Sequence, residues 1–277
     1  MAPYDSLLKP LRIKGVTIRN RVMSTAHAAG FMEHGRPGER YRLYQEEKAK
    51  GGIGLTICGG ASAVSHETPA EVFNSIALTD DQVIPSLREL TDSVHRHGAA
   101  AFCQITHLGR RTRWDVGHWL PAIAPSPVRE PMHRSFPKEM EDWDFRRVIL
   151  AYAQAARRVM DGGFDGCELS NAHQHLIDQF WTPAVNRRGD RYGGSLANRM
   201  RFGLEVLQGI RDAVGPDFVV GMRMSGDELL DDGLGPEECV QIARAYAGSG
   251  LVDFLSVVAG QAQRYADNVT MIPNMSY

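Results

Sequence analysis

Polar side chains gather just after the apolar runs of this 277-residue chain. Gln104 and His107 follow one run, with Gly109, Arg110 and Arg111 behind them, and Ser170, Asn171, His173 and His175 follow another. Gly59-Gly60 close a third, Gly260-Gln261 end the last, and Arg223 lies inside the string FVVGMRM. A buried arginine needs a partner, either an internal carboxylate or a bound anion or electron-rich ring. Gln104 poses the same choice between a satisfied core amide and a ligand contact. Paired glycines let a flat ligand approach the backbone. His173 and His175 are two apart and face opposite sides of an extended segment. With His107 they form at most a weak zinc set, so no metal is assigned. A histidine can also move a proton, since its pKa lies near neutrality. Arg110, Arg111, Arg113 and Arg129 share one Pro- and Arg-rich stretch. They either hold a carboxylate or phosphate or form a solvated loop face, the commoner outcome for such a run.

These groups need a scaffold that brings them to one place. Leu11 to Arg19, with Lys14-Gly15 at its centre, predicts a hairpin, and Arg21 to Thr25 a first strand. Strands are then expected at Ile53 to Cys58, Ala99 to Thr106, Phe164 to Leu169, Phe218 to Met224 and Val252 to Val258. Helices are expected between them at Arg40 to Lys50, Asp81 to His97, Arg146 to Met160, Asn198 to Val214 and Pro236 to Ala247. Two long insertions, His107 to about Asp144 and His173 to about Ser195, interrupt the alternation. Continuously apolar strands alternating with helices imply a parallel sheet, and about six βα units are present. No Gly-rich dinucleotide fingerprint follows the first strand. In a parallel α/β barrel the chemistry sits at the C-terminal ends of the strands, which is where the polar groups fall.

Composition narrows the function class. The formal net charge is −2 and 43% of residues are hydrophobic, with no charge pattern suited to nucleic acid or an anionic membrane. Cys58, Cys103, Cys167 and Cys239 are widely spaced and form no C-x-x-C pair, so reduced, buried thiols are expected rather than disulfides or zinc. The first fifteen residues do not resemble a signal peptide, and no run approaches the ~20 apolar residues of a membrane helix. A cytoplasmic protein with a small-molecule substrate, and compatible with homo-oligomers, is the expectation.

The strings then resemble a family. DQFWTPAVNRRGDRYGGSLANRMRF at 178–202 is the most specific, through Tyr192-Gly193-Gly194-Ser195 with Asn198-Arg199. Asn20-Arg21, GGIGLTICGGASAV at 51–64, QITHLGR at 104–110 and GMRMS at 221–225 occur in the same order. From about Leu8 to Tyr277 the chain resembles the Old Yellow Enzyme or NADH:flavin oxidoreductase family. Within it, the resemblance is to the branch of 2,4-dienoyl-CoA reductase, trimethylamine dehydrogenase and the N-methylproline and dimethylglycine-type demethylases.

That resemblance implies a (β/α)8 TIM barrel over residues 1–277 with FMN across its mouth. Thr25, Ala26, His27 and Ala28 would run beside the flavin, Gly59 and Gly60 would admit the ring, Gln104 would bond its pyrimidine edge, and Arg223 would lie near the N1–C2 region. Hydride would pass between flavin N5 and a small substrate, with NAD(P)H as electron partner. The substrate is an enone, enoate or enoyl-CoA, or a methylated amine or amino acid. Ser170 and His173 stand where the family holds the substrate, His175 where it often has a proton-donating tyrosine, and Arg110 is a further substrate contact. No cysteine stands in Ser24 to Ala28, so the flavin linkage is expected to be non-covalent. Two barrel strands are expected to lie beyond this sequence, with any 4Fe–4S cluster only in a longer chain. Weak FMN binding and marginal solubility follow as expectations. The alternatives are a non-catalytic barrel fragment and a metal-dependent barrel using His107, His173 and His175.

Overall fold

The computed structural model describes residues 4–68, 74–111, 121–131 and 135–260. A short helix α1 (Asp5–Leu8) leads into an antiparallel hairpin, β1 (Leu11–Ile13) and β2 (Val16–Ile18), in which Ile13 faces Val16. Lys14 turns it with φ of 49°, the left-handed geometry such a tight reversal needs. Next come β3 (Met23–Ser24), the small ladder β4 (Met32–Glu33) with β5 (Arg36–Pro37), and α2 (Glu39–Lys50). The chain continues through β6 (Leu55–Ala63), α3 (Ile84–His95), β7 (Ala100–Thr106), a second small ladder of β8 (Ile123–Ala124) and β9 (Lys138–Glu139), and α4 (Asp142–Asp161). It closes with β10 (Gly166–Asn171), α5 (Leu176–Trp181), α6 (Leu196–Val214), β11 (Val219–Asp227), α7 (Pro236–Gly248) and β12 (Phe254–Ala259).

One sheet carries the fold, in the order β12-β11-β10-β7-β6-β3, every pair parallel. Strands in chain order with helices between them are the winding of a (β/α)8 barrel, of which six strands and the helices between them lie in the described residues. Alternation along each strand sends two sets of side chains to two faces. Cys58, Cys103, Ile105, Cys167, Leu169, Val220 and Met222 face outward and share one apolar cluster with helix residues such as Leu87, Val148, Tyr152 and Ile210. Leu55, Ile57, Phe102 and Val219 face inward and pack with Ile18, Ile13 and Val16, so the hairpin plugs the barrel floor. All four cysteines are free and buried. No helix in the described residues is long and apolar enough to cross a membrane.

The elements foreseen from the pattern all form, and three differences have local causes. β6 runs on through Gly59-Gly60 to Ala63, with its register slipping between Cys58 and Ser62, because positive φ at both glycines and at Ala61 bulges the strand without ending it. α4 starts at Asp142, ahead of Arg146, because Glu141 and Asp144 form a reciprocal capping box. The stretch expected as an insertion after β10 contains α5, six residues long, too short for a periodic signal. Arg113 and Gln261 lie outside the described residues.

Candidate active site

The inward positions of β7, β10, β11 and β12 turn from apolar to polar toward their C-terminal ends. Above Phe102 stands Gln104, level with Glu168 in the ladder, and Ser170 is level with Arg223, which is level with Ser256. Gln104 is buried: its Nε2 donates to Glu168 Oε1 at 2.7 Å and its Oε1 accepts from Ala61 N–H at 3.2 Å. It is a satisfied amide, with one N–H and one oxygen lone pair to spare. Burial raises the Glu168 carboxyl's affinity for its proton, and this outweighs the Gln104 bond, the nearby Arg223 charge and Ser256.

Arg223 is 8% exposed, yet among the described residues its guanidinium has no hydrogen-bond or ion-pair partner. The internal Arg–carboxylate pair weighed from sequence does not form among the described residues. Such a cation, aimed at the strand ends, suits an anion or an electron-rich ring.

Gly59 and Gly60 have φ of 97° and 86°. A Cβ on Gly60 would fall 2.2 Å from the carbonyl carbon of His27, and one on Gly59 2.2 Å from Ser62 Oγ. Both glycines are therefore required by the chain's own packing. Gly60 lets the segment Thr25, Ala26, His27 and Ala28 lie directly on β6, while Tyr41 Oη accepts from Gly59 N–H at 2.7 Å. That segment is held from beneath, with His27 Nε2 bonded to Tyr44 Oη at 2.6 Å.

The histidines after β10 do not lie on an extended segment. His173 and Gln174 take φ of 65° and 58°, a double left-handed kink that places both histidines in one electrostatic neighbourhood with Arg111 and Arg223. Burial first, then the charges of Arg111 and Arg223, push His173 down to about 4. His173 Nδ1 is buried without a partner among the described residues. His175 is also held neutral, again by burial first, and its Nδ1 bonds Thr106 Oγ1 at 2.8 Å. Ser170 is buried at the end of β10; so is Asn171, neither of whose amide atoms has a partner among the described residues.

His107 has another duty. Its Nδ1 accepts from Gly109 N–H at 3.0 Å, so the proton sits on Nε2, which lies 3.3 Å from Glu67 Oε1. Both side chains are buried. No group of three or more metal-binding side chains converges among the described residues. Arg110 and Arg111 are 3% and 6% exposed, so the solvated loop face does not describe them. Arg110 donates to Val128 O and Arg129 O at 3.3 Å and to Gln174 Oε1, and Arg111 donates to His173 O at 2.8 Å. These arginines fasten the loop after β7 to the kink after β10. Arg129 is exposed, above the ring of Phe136.

Sequence reasoning missed Glu168, the single acid in the string CELS, and Thr106, the partner of His175. The available signal was position: each points inward two residues from a group already singled out. The string at 178–202, by contrast, is architectural. Asn186 donates to Phe180 O and Tyr192 O at 2.8 Å, Tyr192 stacks on Phe145 at 4.0 Å, and Ser195 caps α6.

Comparison with known proteins identifies the chain's relatives. The family model described as "NADH:flavin oxidoreductase / NADH oxidase family" matches residues 6–267. An N,N-dimethylglycine/sarcosine dehydrogenase of Chromohalobacter salexigens is 52% identical over 275 residues, 99% of this chain and 40% of the relative. A multifunctional alkene reductase/demethylase of Caballeronia cordobensis is 48% identical, again over 99% of this chain and 40% of the relative. This chain thus spans about 40% of the length of these curated relatives. Among solved structures, a 2-naphthoyl-CoA reductase in complex with 2-naphthoyl-CoA superposes with a TM-score of 0.88 at 28% identity, covering 95% of this chain and 42% of that one.

Proposed function

Since this chain belongs to the NADH:flavin oxidoreductase / NADH oxidase family, we propose that it is the FMN-bearing barrel of an oxidoreductase that demethylates a small N-methylated amino acid. The residues fit the cofactor: a buried Arg223 has no hydrogen-bond or ion-pair partner among the described residues, and Gln104, two strands away, keeps a spare donor and acceptor. Thr25 to Ala28, Gly59 and Gly60 form the wall next to them. When bound, FMN supplies a two-electron acceptor for hydride. Arg223 offsets the negative charge that a reduced ring carries.

The observation that carries the substrate class is the buried His173, whose Nδ1 has no partner among the described residues and which lies within reach of the Arg111 and Arg223 charges. A base placed there is denied its proton by burial and by two fixed cations. An amine in the same place is kept as the free base, and its lone pair is what expels hydride from the N-methyl carbon. The product iminium then takes up water and releases formaldehyde and the demethylated amine. The two arginines that disfavour an ammonium favour a carboxylate, as an amino acid provides. Ser170 and His173 hydrogen-bond the substrate, and Arg110 braces the loop above them. The relative from C. salexigens, named for dimethylglycine and sarcosine, supports this choice.

Alkene reduction is the second reading, supported by the relative from C. cordobensis. It needs a proton donor, for which His175 is the candidate. A neutral, buried ring bonded to Thr106 is a weak acid, which places this reading behind the first.

The test is anaerobic titration of the FMN-loaded chain with sarcosine and with dimethylglycine. Bleaching of the visible flavin band with one formaldehyde per flavin is the expected result. Bleaching by NADH alone, followed by turnover of an enone, favours alkene reduction. Failure to retain flavin under any condition favours a non-catalytic barrel.

A further inference from the structure

Glu168 is fully buried at the centre of the barrel and forms no ion pair among the described residues. Its carboxyl faces Gln104 directly across the β7–β10 ladder, at 2.7 Å, while its other oxygen, Oε2, has no hydrogen-bond partner among the described residues. Arg223 and Ser256 act on the same carboxyl from the two following strands. A carboxyl of this kind is costly to bury, and an apolar side chain would fill the position as well. Its chemistry offers what an apolar group cannot, a fixed sense of direction.

The terminal amide of glutamine can rotate by half a turn, exchanging donor for acceptor. Two neighbours remove that freedom. Ala61 N–H is only a donor, so it demands the amide oxygen. Glu168 Oε1 takes the amide nitrogen. The spare N–H and the spare lone pair of Gln104 are therefore set in one order along the mouth. That order suits an edge carrying an acceptor carbonyl beside an N–H donor, the pattern of an imide.

We propose that Glu168 is a positioning residue: it locks the Gln104 amide in the one orientation that reads the imide edge of the flavin's pyrimidine ring. This rests on the FMN reading above and deepens it, because it assigns the discrimination to a residue that does not touch the cofactor. Glu168→Gln removes half of the lock while keeping shape, since two amides can pair in either sense. Only Ala61 N–H, at 3.2 Å, then holds the Gln104 amide, and its discrimination weakens.

The experiment compares binding of FMN and of its N3-methyl analogue, whose imide N–H is blocked, to the wild-type chain and to Glu168→Gln, by flavin fluorescence quenching. In the wild type FMN binds more tightly than the analogue. In Glu168→Gln the expected outcome is an affinity for FMN lower by about 10-fold, the size of one misplaced buried hydrogen bond. The ratio between the two flavins should fall toward one. Equal weakening for both flavins, with the ratio kept, assigns Glu168 a merely structural role and overturns the proposal, as does an unchanged affinity. If Glu168→Gln does not fold, Glu168→Met fills the position with an apolar side chain and removes the same acceptor. It should fold and weaken the discrimination; retained discrimination overturns the proposal. A wild-type chain that binds both flavins equally overturns the lock alone, whereas one that binds neither overturns the FMN reading together with it.

Discussion

At the scale of single residues the site is governed by buried polar and charged groups. Arg223→Met removes the one cation facing the strand ends from β11. FMN affinity is expected to fall by about 10- to 100-fold, the worth of one charged hydrogen bond, and the flavin midpoint potential to drop because the reduced ring loses its counter-charge. Arg223→Lys keeps the charge but not the planar fork, and should recover the potential more fully than the affinity. A potential that does not move in Arg223→Met would show that the cation serves the barrel only. His173 gives a pH signature. Its proton affinity in the folded chain corresponds to about 4, against 6.5 for a free side chain, so between these values the unfolded chain holds more protons. Stability is therefore full above about 6.5 and declines as pH falls toward about 4. His175 adds to the same slope, while Asp178 and Glu168, both raised by burial, oppose it. His173→Asn should flatten the slope in urea unfolding across that window. Gln104 and Arg223 were legible as polar residues closing apolar strands. Glu168 was not, because one acid among apolar neighbours looks the same whether it faces water or the barrel axis. Nor was the burial of Arg110, whose partner Gln174 is distant in sequence.

At the scale of elements, loops hold the chemistry and short local rules hold the loops. Gly60→Ala puts a methyl into the His27 backbone and requires a left-handed φ of 86° from a residue that resists it. A loss of about 3 kcal/mol or more is expected, together with displacement of Thr25 to Ala28, read by thermal melting and by weakened flavin binding. Ser195→Ala removes the cap of α6, whose Oγ accepts from Asn198 N–H at 3.3 Å, and should cost about 1 kcal/mol with flavin affinity unchanged. The contrast separates the two kinds of sequence signal. The string around Tyr192-Gly193-Gly194-Ser195 is the most recognisable in the chain, and its residues brace the turn between α5 and α6. A Cβ on Gly193 would strike Arg188 O at 2.1 Å. Strand and helix periods were legible because each repeats over many residues. α5 and the kink at His173 were not, since one turn of helix and two left-handed residues leave no period.

At the scale of the whole molecule, the sheet has two outer strands among the described residues, β3 and β12. Met23 on one and Val257 on the other are 44% and 66% exposed. Such edges invite pairing with other chains. Concentration-dependent self-association is expected by light scattering, and Val257→Lys should weaken it with the melting temperature kept; unchanged scattering would place the association elsewhere. The hairpin on the barrel floor is held from the far end of the described chain. Lys14 in its turn meets Asp253 at 3.1 Å, just before β12, and donates to Pro216 O, while Asp253 also binds Arg211. On a ribosome the plug emerges early and the last part of its seat emerges late. Ile13, Val16 and Ile18 meet Leu55, Ile57 and Phe102 once β7 is made, whereas Val219, Pro216 and Asp253 arrive only with the last strands. Closing the floor therefore marks the arrival of β12, and this part of the molecule keeps time for its own synthesis.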